Sequence, residues 1–238
     1  LSIFNTPESA KFAVLEVGMD KKGEIDFLTK LIRPNLGLIT NISYAHIKNF
    51  SSLNQIASAK SEIINNVLQG GTIVLNRDDI YFDYFKKKAL RKNLKIISFG
   101  KKNNANVRLV SILKNRHKYI LNIRINNLNK QFAIKKNLIT QKLNLLAALA
   151  VLSNFIELKY IKKYIFYNYR LPNGRGNLLT IKKNNKLINI IDESYNSNPL
   201  SLEFAINNFD NMNIKNHQKN ILLGDMLELG KFSKILHK

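Results

Sequence analysis

Glu16 follows an apolar run in FAVLEVG, and Asn41 and His46 follow another in LITNISYAH. Singly, Glu16 reads as an ordinary strand-end carboxylate and His46 as a loop histidine. Jointly, a carboxylate and an imidazole at neighbouring strand ends suit a hard divalent cation whose other ligands are phosphate oxygens, the mixture magnesium prefers. Further along, AKSEI carries Lys60. A free lysine ammonium has three donors and no acceptor, so in that state it cannot ligate a cation. Two later strings also concentrate polar chemistry: DESYNSNP, with Asp192, Glu193, Asn196 and Asn198, and GDMLELG, from Gly224 to Gly230. Ahead of them LPNGRGN, Leu171 to Asn177, gathers a proline and two glycines around Arg175 and reads as a hinge.

The elements that would position these residues alternate in type. FAVLEVG is predicted as a strand, GEIDFLTKLI as a helix stopped by Pro34, and LGLITNI as a second strand. SLNQIASAKSEIINNVL places Leu53, Ile56, Ile63, Ile64 and Val67 on one helical stripe, after which a Gly-Gly break leads into the strand TIVLN. The helix DDIYFDYFKKKALRKN and the strand LKIISFG continue the series. Apolar strands alternating with amphipathic helices predict an α/β fold, a mostly parallel, Rossmann-like sheet covered on both faces. Ligands of such sheets sit at the carboxyl ends of the strands, so Glu16, Asn41 and His46 are expected on one rim.

Beyond Gly100, NVRLVSI, KYILNIRI and QFAIKK are short and partly alternating, which predicts a small antiparallel excursion. LITQKLNLLAALAVLSNF reads as a helix whose alanines permit close packing. After the hinge come a strand pair in NLLTIKKNNKLINIIDES, a helix in PLSLEFAINNFDN and a strand in KNILLG. We therefore expect a central domain over residues 1–172 and the beginning of a second Rossmann-like α/β domain over 173–238.

The formal net charge is +22 at pH 7. The lysines are spread among asparagines and isoleucines, and the densest runs lack the interleaved aromatics that stack bases, so solvated faces are expected rather than a nucleic-acid surface. The field still favours anionic substrates such as nucleotides. The absence of cysteine excludes disulfides and thiolate metal sites and fits a reducing cytoplasm. No run of about eighteen apolar residues and no signal-peptide layout occurs, so no membrane span is predicted.

In order and spacing, EVGMDKKGEI, ITNISYAHIKNFSS, AKSEI, DESYNSNP and GDMLELG resemble the Mur ligases, from about Phe12 to His237. The early strings are similar across those ligases and the related folylpolyglutamate synthetases. The two late strings resemble the branch that joins D-alanyl-D-alanine to UDP-N-acetylmuramoyl-tripeptide. The resemblance implies an ATP-dependent, cytoplasmic, monomeric ligase of peptidoglycan precursor synthesis, acting through an acyl phosphate with two Mg2+ ions. It implies Glu16 and His46 as magnesium ligands, and Lys60 as a carbamate that approaches the second ion. Asn144 matches the asparagine near the adenine and Arg175 the arginine that reaches the nucleotide phosphates. Asp192 and Glu193 match the ribose-contacting pair, and Asn196 and Asn198 the segment facing the amine substrate.

Three departures accompany the resemblance. Glu193 stands where the family has a second aspartate, and Thr140 and Gln141 stand where it has a histidine and an asparagine. The phosphate loop ending in Gly-Lys-Thr is expected ahead of Leu1, and an amino-terminal UDP-sugar domain and most of a carboxy-terminal domain are expected outside the chain. An internal fragment of this kind is expected not to catalyse alone. The alternatives are a sibling ligase or folylpolyglutamate synthetase-like enzyme and, in another class, a non-catalytic basic nucleotide- or nucleic-acid-binding remnant.

Overall fold

The computed structural model describes residues 6–44, 47–115, 118–212 and 218–237. In chain order it forms helix α1 (Glu24–Ile32), strand β1 (Leu36–Ile39), helices α2 (Leu53–Lys60) and α3 (Glu62–Asn66), β2 (Thr72–Asn76), α4 (Phe82–Arg91) and β3 (Lys95–Gly100). Strands β4 (Val107–Lys114), β5 (Lys118–Ile125) and β6 (Leu128–Lys135) precede helix α5 (Lys142–Phe155). After the hinge come β7 (Asn177–Lys183), β8 (Lys186–Asp192), α6 (Pro199–Asp210) and the short α7 (Ser233–Leu236).

Six strands join in the order β1-β2-β3-β4-β5-β6. The pairs from β1 to β4 are parallel and those from β4 to β6 antiparallel, so the expected excursion continues the main sheet through the β3/β4 ladder. β2 shows why this sheet forms. All five of its residues are buried, with Val74 on the α5 side and Ile73 and Leu75 on the α3 and α4 side. An apolar β-rich strand covered on both faces is what parallel pairing requires. On one side Leu145, Leu146, Leu149 and Ala150 of α5 pack against Phe99, Val107, Ile123 and Phe132; on the other Phe82, Phe85 and Ala89 cover Leu75 and Leu94. Residues 136–155 are by length and composition apolar enough to cross a membrane. In this fold the buried leucines of α5 belong to the core of the sheet.

Three predicted elements come out differently. Phe12–Gly18 is not a strand: Val14 is 95% exposed, and no ladder joins the run to a neighbour. An apolar sequence becomes a strand only where a partner edge supplies hydrogen bonds. KNILLG likewise stays irregular, with Leu222 fully exposed. The helix expected from Ser52 to Leu68 is broken at Ser61, whose buried hydroxyl donates to Ser58 O at 2.5 Å and accepts from Lys88 Nζ at 2.7 Å. That local bond competes with helix continuation.

The β7–β8 hairpin forms a separate two-stranded sheet. Beyond α6, Met226 and Leu229 return to the first part of the chain and bury themselves with Met19, Ile47, Phe50 and Ile56.

Candidate functional site

The carboxyl ends of β1, β2 and β3 are tied together by side chains from the end of β2 and the loop that follows it. Asn76 donates from Nδ2 to Thr40 O at 2.9 Å, beyond the end of β1. Asp79 accepts from Ile42 N and Tyr81 N, each at 2.8 Å. Asp78 accepts from Lys101 N at 2.7 Å and Lys102 N at 3.0 Å, fastening the loop after β3. Gly100 is required there: its φ is +155°, and a Cβ would meet Asp78 Oδ1 at 2.7 Å. Lys60, the last residue of α2, reaches the same rim and donates from Nζ to Asn41 O at 3.0 Å. Burial pushes its amine below the ordinary lysine value, and the charge of Asp79 partly opposes that shift.

Glu62, two residues on, is buried and faces away from that chemistry. Its carboxylate accepts from Gly23 N at 2.9 and 3.0 Å and from Asp26 N at 3.1 Å, capping α1. A carboxylate at a helix amino terminus satisfies amides that no helical carbonyl reaches and opposes the positive end of the dipole. Gly23 holds a φ of +94°, which turns the chain into α1. The strings MDKKGEI and AKSEI are therefore one structural unit.

The hinge forms a second cluster. Gly174 (φ +74°) accepts from Tyr195 N at 3.1 Å, and Gly176 (φ +84°) donates to Asp192 O at 2.8 Å. A Cβ at Gly174 would stand 2.7 Å from Tyr195 N. The Arg175 guanidinium lies 4.3 Å over the Tyr195 ring. Hydrogen bonds from Ser194 hold Asp192 below the usual carboxylate range. Glu193 is exposed, but its carboxyl end lies beside Gly176; local burial, and then the charge of Asp192, push it upward. Asn198 caps α6: its Oδ1 accepts from Ser201 N at 3.1 Å, and Ser201 Oγ accepts from Asn198 N at 3.0 Å. Pro199 in the first turn completes the start signal.

Known proteins are similar to this chain in sequence and in fold. The Mur ligase middle domain matches residues 1–152. The chain belongs to the Mur ligase family. Across its full length it is 31% identical to the UDP-N-acetylmuramoyl-tripeptide--D-alanyl-D-alanine ligase of Buchnera aphidicola subsp. Baizongia pistaciae, of which it covers 50%. A crystal structure of MurF from Acinetobacter baumannii superposes with a TM-score of 0.82 at 26% identity, over 98% of this chain and 49% of that one. MurF from Thermotoga maritima, crystallised in complex with ADP, shares the fold at a TM-score of 0.72 and 22% identity, over 91% and 48%. The chain thus spans about half the length of the curated relatives it matches.

In this Mur ligase chain the sequence-derived candidates fall into separate groups. Lys60 and Asn41 meet at the rim; Arg175, Asp192 and Glu193 meet at the hinge. Glu16 is exposed on the irregular segment before α1 rather than at a strand end, and His46 lies outside the described residues. Among the described residues no group of three or more carboxylate or imidazole side chains gathers as a metal cage. Asn144 is exposed in the first turn of α5 and donates from Nδ2 to Gln141 Oε1 at 2.7 Å, so one departure from the family pattern directly contacts it. Lys142 beside it is pushed below the ordinary lysine value by burial and by the charge of Lys101. Asn196 is exposed in the segment leading to α6. Asp78 and Asp79, which tie the rim together, are not among the sequence-derived candidates; the Asp-Asp pair one residue after the apolar run TIVLN is the signal available.

Proposed function

We propose that this chain is the central and hinge portion of an ATP-dependent ligase that joins D-alanyl-D-alanine to UDP-N-acetylmuramoyl-tripeptide in the cytoplasm, working as a monomer. The observation that carries the reading is the full-length match to a ligase of that name, which includes both late strings. Residues 1–172 form the central domain and residues from 173 begin the carboxy-terminal one. Leu171 is still buried in the main core, whereas β7 and β8 form a sheet of their own.

Glu16 and His46 would offer oxygen and imidazole donors for magnesium, which would supply charge neutralisation to the nucleotide phosphates. The lowered affinity of Lys60 for its proton leaves more neutral amine to attack carbon dioxide; the nitrogen–carbon bond forms, a proton leaves to solvent, and a cation becomes a carbamate anion. That anion has the acceptors a second magnesium needs, and the free ammonium has none.

Arg175 presents a fixed fork to phosphate oxygens, and its stacking on Tyr195 orients it without using its donors. Asn144 holds the adenine edge, and Asp192 and Glu193 the ribose. Asn198, whose oxygen caps α6, and Asn196 belong to the segment that faces the amine substrate. The tripeptide carboxylate attacks the γ-phosphorus, ADP departs, and the amine of D-alanyl-D-alanine displaces phosphate from the acyl carbon. Folding of the LPNGRGN hinge keeps water from that acyl phosphate.

The test uses the full-length protein with ATP and UDP-N-acetylmuramoyl-tripeptide. ADP release should depend on D-alanyl-D-alanine and not on single amino acids. Release driven equally by D-glutamate or a diamino acid would assign a sibling reaction and refute the proposal.

A further inference from the structure

Arg108 of β4 and Arg124 of β5 stand directly opposite each other in the antiparallel ladder. The preceding ladder pair, Phe99 and Val107, is buried on the α5 side, so Gly100 and Arg108, the next pair, lie on the other face, and Arg124 with them. Helix α4 covers that face over β2 and β3. Like charges directly opposite each other destabilise a sheet. The Nε atoms of both arginines are moreover buried and have no hydrogen-bond partner.

The surroundings offset this charge only in part. No aspartate or glutamate occurs between Asp83 and Glu157. Asp78 packs over Gly100 beside Arg108 in the ladder, but its two oxygens accept the Lys101 and Lys102 amides. Among the described residues neither arginine pairs with a carboxylate. Arg124 donates from one terminal nitrogen to Asn103 O at 2.8 Å.

We propose that Arg108 and Arg124 together bind a phosphate oxyanion on the face of the sheet opposite α5. A phosphate dianion matches two guanidinium charges, and its several oxygens accept from guanidinium N–H groups of both arginines while relieving the repulsion between them. The surface is distinct from the hinge and lies across the sheet from Asn144 at the start of α5.

The test follows the arginine Nε–H signals of full-length protein labelled with 15N arginine, assigned through Arg108→Gln and Arg124→Gln. Inorganic phosphate is titrated against chloride at matched ionic strength. Both signals should move saturably, and Arg108→Gln should weaken the phosphate response of Arg124 at least tenfold. In phosphate-free buffer Arg108→Gln should leave the unfolding temperature unchanged or raised, since it removes a repulsive, unpartnered charge. ADP in place of phosphate separates the sources: saturation at lower concentration assigns a nucleotide phosphate, and saturation by free phosphate alone assigns the free anion. Shifts that fail to saturate or that chloride reproduces, an adventitious ion only, overturn the proposal. A destabilised Arg108→Gln variant whose Arg124 signal still follows phosphate also overturns it, since Arg108 would then be a structural strut.

Discussion

Replacing Glu62 by alanine removes the acceptor of two amides at the start of α1, those of Gly23 and Asp26. Hydrogen bonds to a charged group contribute roughly 1.5–3 kcal/mol each. Gly23 is exposed and water replaces part of what it loses, so the lower figure applies to both amides. The expected cost of Glu62→Ala is therefore about 3 kcal/mol, a drop of roughly 6–12 °C in unfolding temperature for a domain of this size. Glu62→Gln keeps one acceptor oxygen in nearly the same place and loses the charge, so it should cost about half as much. Urea denaturation of both variants gives the two numbers, and hydrogen exchange locates them. The amides of Asp26 to Thr29 should lose protection while those of α4 keep theirs. A Glu62→Ala variant within about 0.5 kcal/mol of the parent, or a Glu62→Gln variant as damaged as Glu62→Ala, would refute the capping role.

Lys60→Met in buffer free of carbon dioxide should stabilise the protein at pH 7–8, because it removes a buried charge. The unfolded lysine holds its proton up to the ordinary value of 10.5 and the folded one releases it earlier. Parent stability therefore rises with pH across that interval and the advantage of Lys60→Met shrinks toward pH 10.5, as denaturation midpoints will show. Gly174→Ala forces a left-handed backbone and a 2.7 Å approach to Tyr195 N, costing at least about 1–2 kcal/mol. Gly18→Ala, with nothing within 4 Å, serves as the neutral control in the same thermal melts. Asn198→Ala should cost about 1 kcal/mol through the lost helix cap. Asn198→Asp should restore that stability yet lower kcat/KM for D-alanyl-D-alanine; full activity in Asn198→Asp would confine the residue to capping.

The strands TIVLN and LKIISFG were readable almost residue for residue, because burial on both faces demands an uninterrupted apolar run and few other structures use one of that length. FAVLEVG and KNILLG carry the same signal and do not pair. Composition reports that a segment can enter a sheet, whereas pairing depends on an adjacent edge that a one-dimensional pattern does not encode. The break at Ser61 was invisible for a related reason: the apolar stripe from Leu53 to Val67 runs through it, and the competing bond to Lys88 comes from another helix. Lys60 and Arg175 were singled out by the resemblance of their motifs. Their settings were not legible, since Asn41 O and the Tyr195 ring are brought in by the fold. Asn198 shows the reverse case, where Asn-Pro followed by Ser201 announces a helix start from local sequence alone.

The return of the GDMLELG segment to the beginning of the chain has a thermodynamic consequence. Lys48 N donates to Glu228 O at 2.8 Å, a Cβ on Gly230 would stand 3.1 Å from Lys48 Cα, and Leu229 is buried beside Ile47. The loop after β1 and the segment beyond α6 therefore share one interface although the hinge separates them in sequence. A ligand that favours this interface on one side must favour the other side's ligand by the same factor. Where a nucleotide bound at the rim favours this docking, the docking favours the nucleotide by the same factor, and Leu229→Ala should then weaken nucleotide binding in a direct titration.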